Sequence, residues 1–165
     1  MARRCFYSFH YAEDVTRAAK IRNIGAIEGN RVAPDNDWEA ITRGGDAAIE
    51  RWIKGQLRGR SCAIVLVGAK TAGRKWITHE IVESWNAGMG VVGIRIHGIS
   101  NLRGVMAQPG GNPFDHVNHN ATGKQLSSIV KCYDPPGGNS QRRYAWIASN
   151  INAVLEEALR IRSAN

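Results

Sequence analysis

Cysteine is scarce. The chain carries three in 165 residues, Cys5, Cys62 and Cys132, and none has CxxC spacing. An odd, scattered set excludes a disulfide framework and a zinc knuckle, and it points to a reducing compartment, read here as the cytoplasm. Cys5 and Cys62 lie inside apolar runs and read as packing residues. Long hydrophobic runs are also missing. The best of them, Cys62 to Val67, is far too short to span a bilayer. Met1-Ala2-Arg3-Arg4 is basic, but the residues after it form no signal-peptide core. Acidic residues are outnumbered 14 to 22 by Lys and Arg, for a net charge of +8. That excess attracts anions, yet the bases are dispersed in pairs (Arg3-Arg4, Arg74-Lys75, Arg142-Arg143), so a solvated surface is favoured over a nucleic-acid groove. Several motifs are absent: GxGxxG, a Walker loop, HExxH and a nucleophile elbow.

What is present is an ordinary globular composition, 43% hydrophobic and 22% charged, at a length that suits a single domain over residues 1–165. Strand signals fall on Cys5–Phe9, Gly25–Gly29, Ser61–Val67 and Gly90–Ile96. Helical periodicity falls on Glu13–Ile21, with Val15, Ala18, Ala19 and Ile21 inward. It recurs on Asp46–Leu57, with Asp46 as cap, and on Arg74–Ala87. Asp37 reads as an N-cap before Trp38. This alternation predicts an α/β, three-layer, flavodoxin-like domain with a mostly parallel central sheet of about five strands. Residues 98–142 break the rhythm as an irregular insertion or interaction segment, in which only Leu126–Cys132 reads as a strand. A final packing helix covers 143–162.

In such a sheet, ligands bind beyond the carboxyl ends of the strands, here Ser8–Tyr11, Gly68–Thr71 and His97-Gly98. Glu80 lies at the border of its helix's apolar stripe, one turn after Trp76. Two readings are open. Glu80 pairs on the surface with Arg74 or Lys75, or it lines a cleft wall beside Trp76, where burial would raise its pKa. Asp115, His116 and His119 can bind a metal from a loop, but surface polar residues are the simpler reading.

Several pieces match one family. Phe6-Tyr7-Ser8-Phe9-His10-Tyr11 followed by Asp14 resembles the opening strand and loop of TIR domains. The buried strand Ser61–Val67 with Gly68 resembles their central strand, and Trp76-Ile77-Thr78-His79-Glu80 resembles the WxxxE segment of enzymatic TIR domains. Asp37-Trp38-Glu39, the Arg74-Lys75-Trp76 approach and Gly111-Asn112-Pro113-Phe114-Asp115 bring the chain nearer to the TIR-like proteins of the Thoeris anti-phage system, the ThsB family.

The resemblance implies an enzyme that cleaves NAD+ between nicotinamide and ribose. Its product would be an ADP-ribose-derived signal, cyclic or conjugated, that activates a separate effector during phage infection. NAD+ enters as substrate, with no cofactor and no metal. The resemblance implies Glu80 as the catalytic carboxylate. Phe9, Tyr11 and Trp76 would wall the flat rings, and Ser8, His10 and Lys70 would meet the pyrophosphate. Trp38 and Asp46 would shape the pocket. It also implies a homo-oligomer and no membrane partner. The alternative is a non-enzymatic TIR scaffold.

Overall fold

Cys62 to Val67 is apolar at every position, which suits a strand covered on both faces. The computed structural model, which describes residues 2–30 and 40–165, places it so. Five strands form one sheet: β1 (Arg3–Phe9), β2 (Ile27–Gly29), β3 (Cys62–Val67), β4 (Gly90–Arg95) and β5 (Cys132–Tyr133). Their order is β2-β1-β3-β4-β5, and every pairing is parallel. The helices are α1 (Tyr11–Arg22), α2 (Gly45–Leu57), α3 (Lys75–Asn86) and α4 (Ser140–Ala164). The expected α/β three-layer TIR-like architecture is therefore present. Among the described residues, no helix is long and apolar enough to cross a membrane.

Strand alternation divides the core. Cys5, Tyr7, Ile64, Leu66, Val92 and Ile94 face one side, with Ala18 and Ile21 of α1 and Ile147, Ile151 and Leu155 of α4. Phe6, Ala63, Val65, Val67 and Val91 face the other side, with Ile49 and Ile53 of α2 and Ile77 and Ile81 of α3. Each fully buried Val, Ile, Leu or Phe among them contributes about 1.5–3 kcal/mol before chain entropy is subtracted. Cys5 and Cys62 are register partners, both buried, and remain thiols as expected.

Several expectations need correction. The inward face of α1 is Asp14, Arg17, Ala18 and Ile21, not Val15 and Ala19, and Ala19 is exposed. The helix turns a charged pair inward because that pair is satisfied. Arg17 donates to Asp14 Oδ1 (3.2 Å), and its other nitrogens reach the carbonyls of Ile99 (2.8 Å) and Val105 (2.9 Å). Asp46 does not cap α2. Gly44 holds that position, and Asp46 pairs with Lys75 of α3. Leu126–Cys132 is not a strand. Leu126–Ser128 is a 3-10 turn, and only Cys132 and Tyr133 pair with β4. There the Ser128 hydroxyl donates to the Gln125 carbonyl (2.7 Å), closing the turn locally instead of joining the ladder. The last helix starts at Ser140, three residues early, because the Asn139 side chain accepts from Arg142 N and caps it (2.9 Å). The expected cap Asp37 lies outside the described residues.

Arg17 and Asp14 side chains are 5% and 1% exposed. Removing one member of such a pair leaves a buried, unpaired charge. Arg17→Ala is therefore expected to cost about 3–5 kcal/mol in urea denaturation. A loss under about 1 kcal/mol would mean that the pair is solvated in solution.

Candidate active site

The strands end together. Ser8 of β1 is level with Val65 of β3, which is level with Gly93 of β4. Being on the same alternation as Phe6, Ser8 faces the α3 layer, and it is 1% exposed. The inward stripe of α3 is Ile77, Ile81, Ser84 and Trp85, which leaves Glu80 on the flank that meets the end of β1. The Ser84 hydroxyl donates to the Glu80 carbonyl and secures the helix there (2.6 Å).

The Glu80 carboxyl is buried, and its Oε2 has no hydrogen-bond partner. Burial pushes its pKa from the usual 4.5 up to about 8, opposed only by the neighbouring Ser8 hydroxyl. That opposition is incomplete, since Ser8 Oγ makes no hydrogen bond of ordinary geometry either. The surface reading of Glu80 is thereby corrected. Lys75 is taken by Asp46 and lies over the Trp76 ring (4.9 Å), while Arg74 Nε donates to the Lys70 carbonyl (2.8 Å). The result is an isolated buried acid at the carboxyl edge of the sheet, neutral at rest near pH 7 and ready to ionise.

Of the other candidates, Trp76 sits one turn before Glu80 and packs edge-on against His79, centroids 5.5 Å apart. His10 caps the start of α1 without a side-chain bond, and burial and then Arg74 hold its pKa down. Phe9 points to the opposite side of the sheet, where it packs against the α1 and α4 core and stacks on Tyr11 at 6.4 Å. Lys70 is exposed and bridges to Glu13 (3.0 Å), and Asp46 is exposed beside Lys75. The structure thus brings Ser8 and Glu80 together and leaves Phe9, Lys70 and Asp46 engaged elsewhere. Trp38 lies outside the described residues.

His119 is not a surface residue. It is 7% exposed, edge-on to Trp85 at 5.7 Å, and bonded to Thr122 through Nδ1 (3.0 Å). Among the described residues, no three His, Cys, Asp or Glu side chains are grouped to hold a metal.

Asp14 is the residue whose part the motif reading missed. Its Oδ2 is buried without a partner directly against Gly68, where any Cβ would collide with the carboxylate. Burial raises its pKa, and the Arg17 hydrogen bond only partly offsets this. The spacing of 14, 17, 18 and 21 carried the signal, because it is a full inward stripe with two charges in it.

Residues 6–101 match the family described as Thoeris protein ThsB, TIR-like domain. The chain belongs to that family. A similar protein from Bacillus cereus (strain MSX-D12), named "Putative cyclic ADP-D-ribose synthase ThsB1", is 31% identical over 167 residues, 97% of this chain and 85% of the relative. The ThsB TIR-like match runs from Phe6 within β1 through β4, hence takes in both Ser8 and Glu80. The likeness to the relative extends past it through most of the chain.

Burial of Glu80 in this ThsB-family domain has a thermodynamic signature. Its folded pKa lies above the unfolded 4.5, so the native state holds the extra proton between pH 4.5 and 8. Stability from that proton is full below pH 4.5 and is lost as pH rises through 8, at a cost on the order of 3 kcal/mol at pH 7. Glu80→Gln keeps the shape without the ionisation. It should therefore be more stable than the parent at pH 8, with the gap closing by about pH 4.5 in chemical denaturation. An equal gap at both pH values would show that Glu80 ionises freely in the fold.

Proposed function

We propose that this chain cleaves NAD+ and converts the ADP-ribose part into a signal, cyclic or conjugated, for a separate effector in anti-phage defence. The observation that carries the reading is Glu80, a solitary buried carboxyl beside Ser8 at the edge where open α/β sheets bind ligands. Membership of the ThsB TIR-like family and the name of the B. cereus relative support it.

The chemistry asks for such a group. The bond between the ribose C1′ and the nicotinamide nitrogen breaks, and its electron pair leaves with the neutral nicotinamide. Positive charge passes to the ribosyl ring as an oxocarbenium-like centre. A carboxylate held there in low dielectric stabilises that charge far more than one in water would. The substrate's own pyridinium favours the ionised form of Glu80 on arrival, because an opposite charge lowers a carboxyl pKa. An oxygen or nitrogen nucleophile then closes on C1′. Water gives free ADP-ribose, and a group on the same molecule gives a cyclic product. The Ser8 hydroxyl is placed to orient the carboxylate or a ribose hydroxyl, and Trp76 lies one turn away as a flat wall.

A scaffold reading has one observation of its own. Leu102 (83% exposed), Val105 and Met106 project from the loop after β4 as an apolar surface suited to contact with other proteins.

Purified protein with NAD+ separates the two. Nicotinamide release followed by mass detection should fall 10²–10³-fold in Glu80→Gln. In the parent, kcat/KM should rise with pH and level off above about 8, since that profile reports the free enzyme's ionisation. Turnover by neither form, in vitro or in extracts of infected cells, leaves the scaffold.

A further inference from the structure

Resting on that NAD-cleaving reading, we propose that residues 110–116 are a positioning strap for the site, with Arg95 as its anchor. The strap lies along the whole turn 68–73 that joins β3 to α3. Gly110 sits so close that a Cβ there would be 2.5 Å from the Gly68 carbonyl oxygen and 2.6 Å from that of Ala69. Gly111 lies beside the Ala72 methyl, and the His116 ring beside Gly73. Glycine is needed at 110 for that approach, because any side chain there would push the strap off the turn.

Both ends are pinned. Arg95 Nη1 donates to the Gly110 carbonyl (2.7 Å), and among the described residues Arg95 makes no ion pair. At the far end the Asn112 side chain accepts from Phe114 N (2.9 Å), and Phe114, fully buried, fits into the space left by Gly93. Arg95 follows Gly93 by two residues, so it stands on the same sheet face as Ser8 and one step nearer the carboxyl edge.

The turn is therefore held from two sides, by Asp14 against Gly68 and by Gly110 against Gly68 and Ala69. Its own closure, Gly68 N to Thr71 Oγ1 (2.8 Å), is buried inside that grip. The turn runs straight into α3, so its shape sets where Glu80 meets Ser8. Residues 110–116 lie beyond the family match at 6–101, which puts part of the control of the site outside it. Arg95 and Gly110 act through the turn. They are positioning residues, and the strap holds a catalytic distance and adds no chemical group.

The test uses the full chain and NAD+. The parent must release nicotinamide and Glu80→Gln must not, and failure of that pair removes the underlying reading and not the strap alone. Given an active parent, Arg95→Ala and Gly110→Ala should lower kcat at least tenfold with KM little changed, at temperatures where circular dichroism shows each folded. Arg95→Lys, which keeps a donor for the Gly110 carbonyl, should recover most of that loss. Arg60→Ala serves as control. It removes bonds to the Gln56 and Cys5 carbonyls at the opposite edge of the sheet, and should lower the melting temperature without changing the turnover of folded protein. A kcat within twofold of the parent in Arg95→Ala overturns the strap, as does a lysine variant that recovers nothing. Should Gly110→Ala fail to fold, the arginine pair decides alone.

Discussion

A charged side chain inside the protein ties the architecture together. The Arg17 guanidinium is almost fully buried, and it is tolerated because its nitrogens have acceptors: Asp14, the carbonyls of Ile99 and Val105, and Glu13 of its own helix. These partners lie in different places. Two lie on α1 itself, two hold the loop that follows β4, and Asp14 in turn presses on Gly68 at the end of β3. Without Arg17 the loop would have to find other donors for two carbonyls, and Asp14 would carry its charge unaided. The C-terminal edge of the sheet is thus set by electrostatics as much as by apolar packing, whereas the interior of the sheet is apolar on both faces.

Glu80 is the contrasting case. Its Oε2 is buried, as Oδ2 of Asp14 is, but Glu80 has no cation beside it, and the only polar neighbour that favours its charge is the Ser8 hydroxyl. A fold selected for stability alone would give such an acid an arginine or replace it with an apolar residue. An unpaired acid retained in the interior is a destabilising choice, and such choices gather at functional sites. The two carboxyls, one matched and one left unmatched, divide the labour between holding the edge and acting at it.

Much of this was legible in the residues. The unbroken apolar run of β3 and the alternation of the other elements specified a parallel sheet covered on both faces, because those patterns have few other solutions. Glu80 was legible from its place after Trp76, but its environment was not. On a helical wheel it borders the stripe, and whether a border residue is wet or dry depends on what the neighbouring strand brings, here Ser8. Phe9 and Lys70 show the converse. Nearness in sequence to the strand ends suggested the site, yet one-residue alternation turns Phe9 to the other face, and Lys70 is drawn off by Glu13. The segment 98–142 was legible only as irregular. Its contacts with the turn 68–73 run through glycines, backbone to backbone at Gly110, and such contacts leave no periodicity to read.

A buried acid without a cation suits the proposed reaction better than a paired one. A carboxylate beside an arginine is ionised at every physiological pH, but its field is already spent on its partner when the ribosyl cation develops. Glu80 has no such partner, so its interaction with a cationic substrate is wholly new, and it strengthens as charge moves from the pyridinium to the ribose. The same arrangement limits reactivity at rest. With the group mostly protonated in the empty protein near pH 7, no strong negative charge waits in the edge for chance ligands. Ionisation must be drawn out by a cation that fits, and the free energy for it comes from binding. The cost in fold stability and the gain in discrimination therefore arise from the same missing counter-ion.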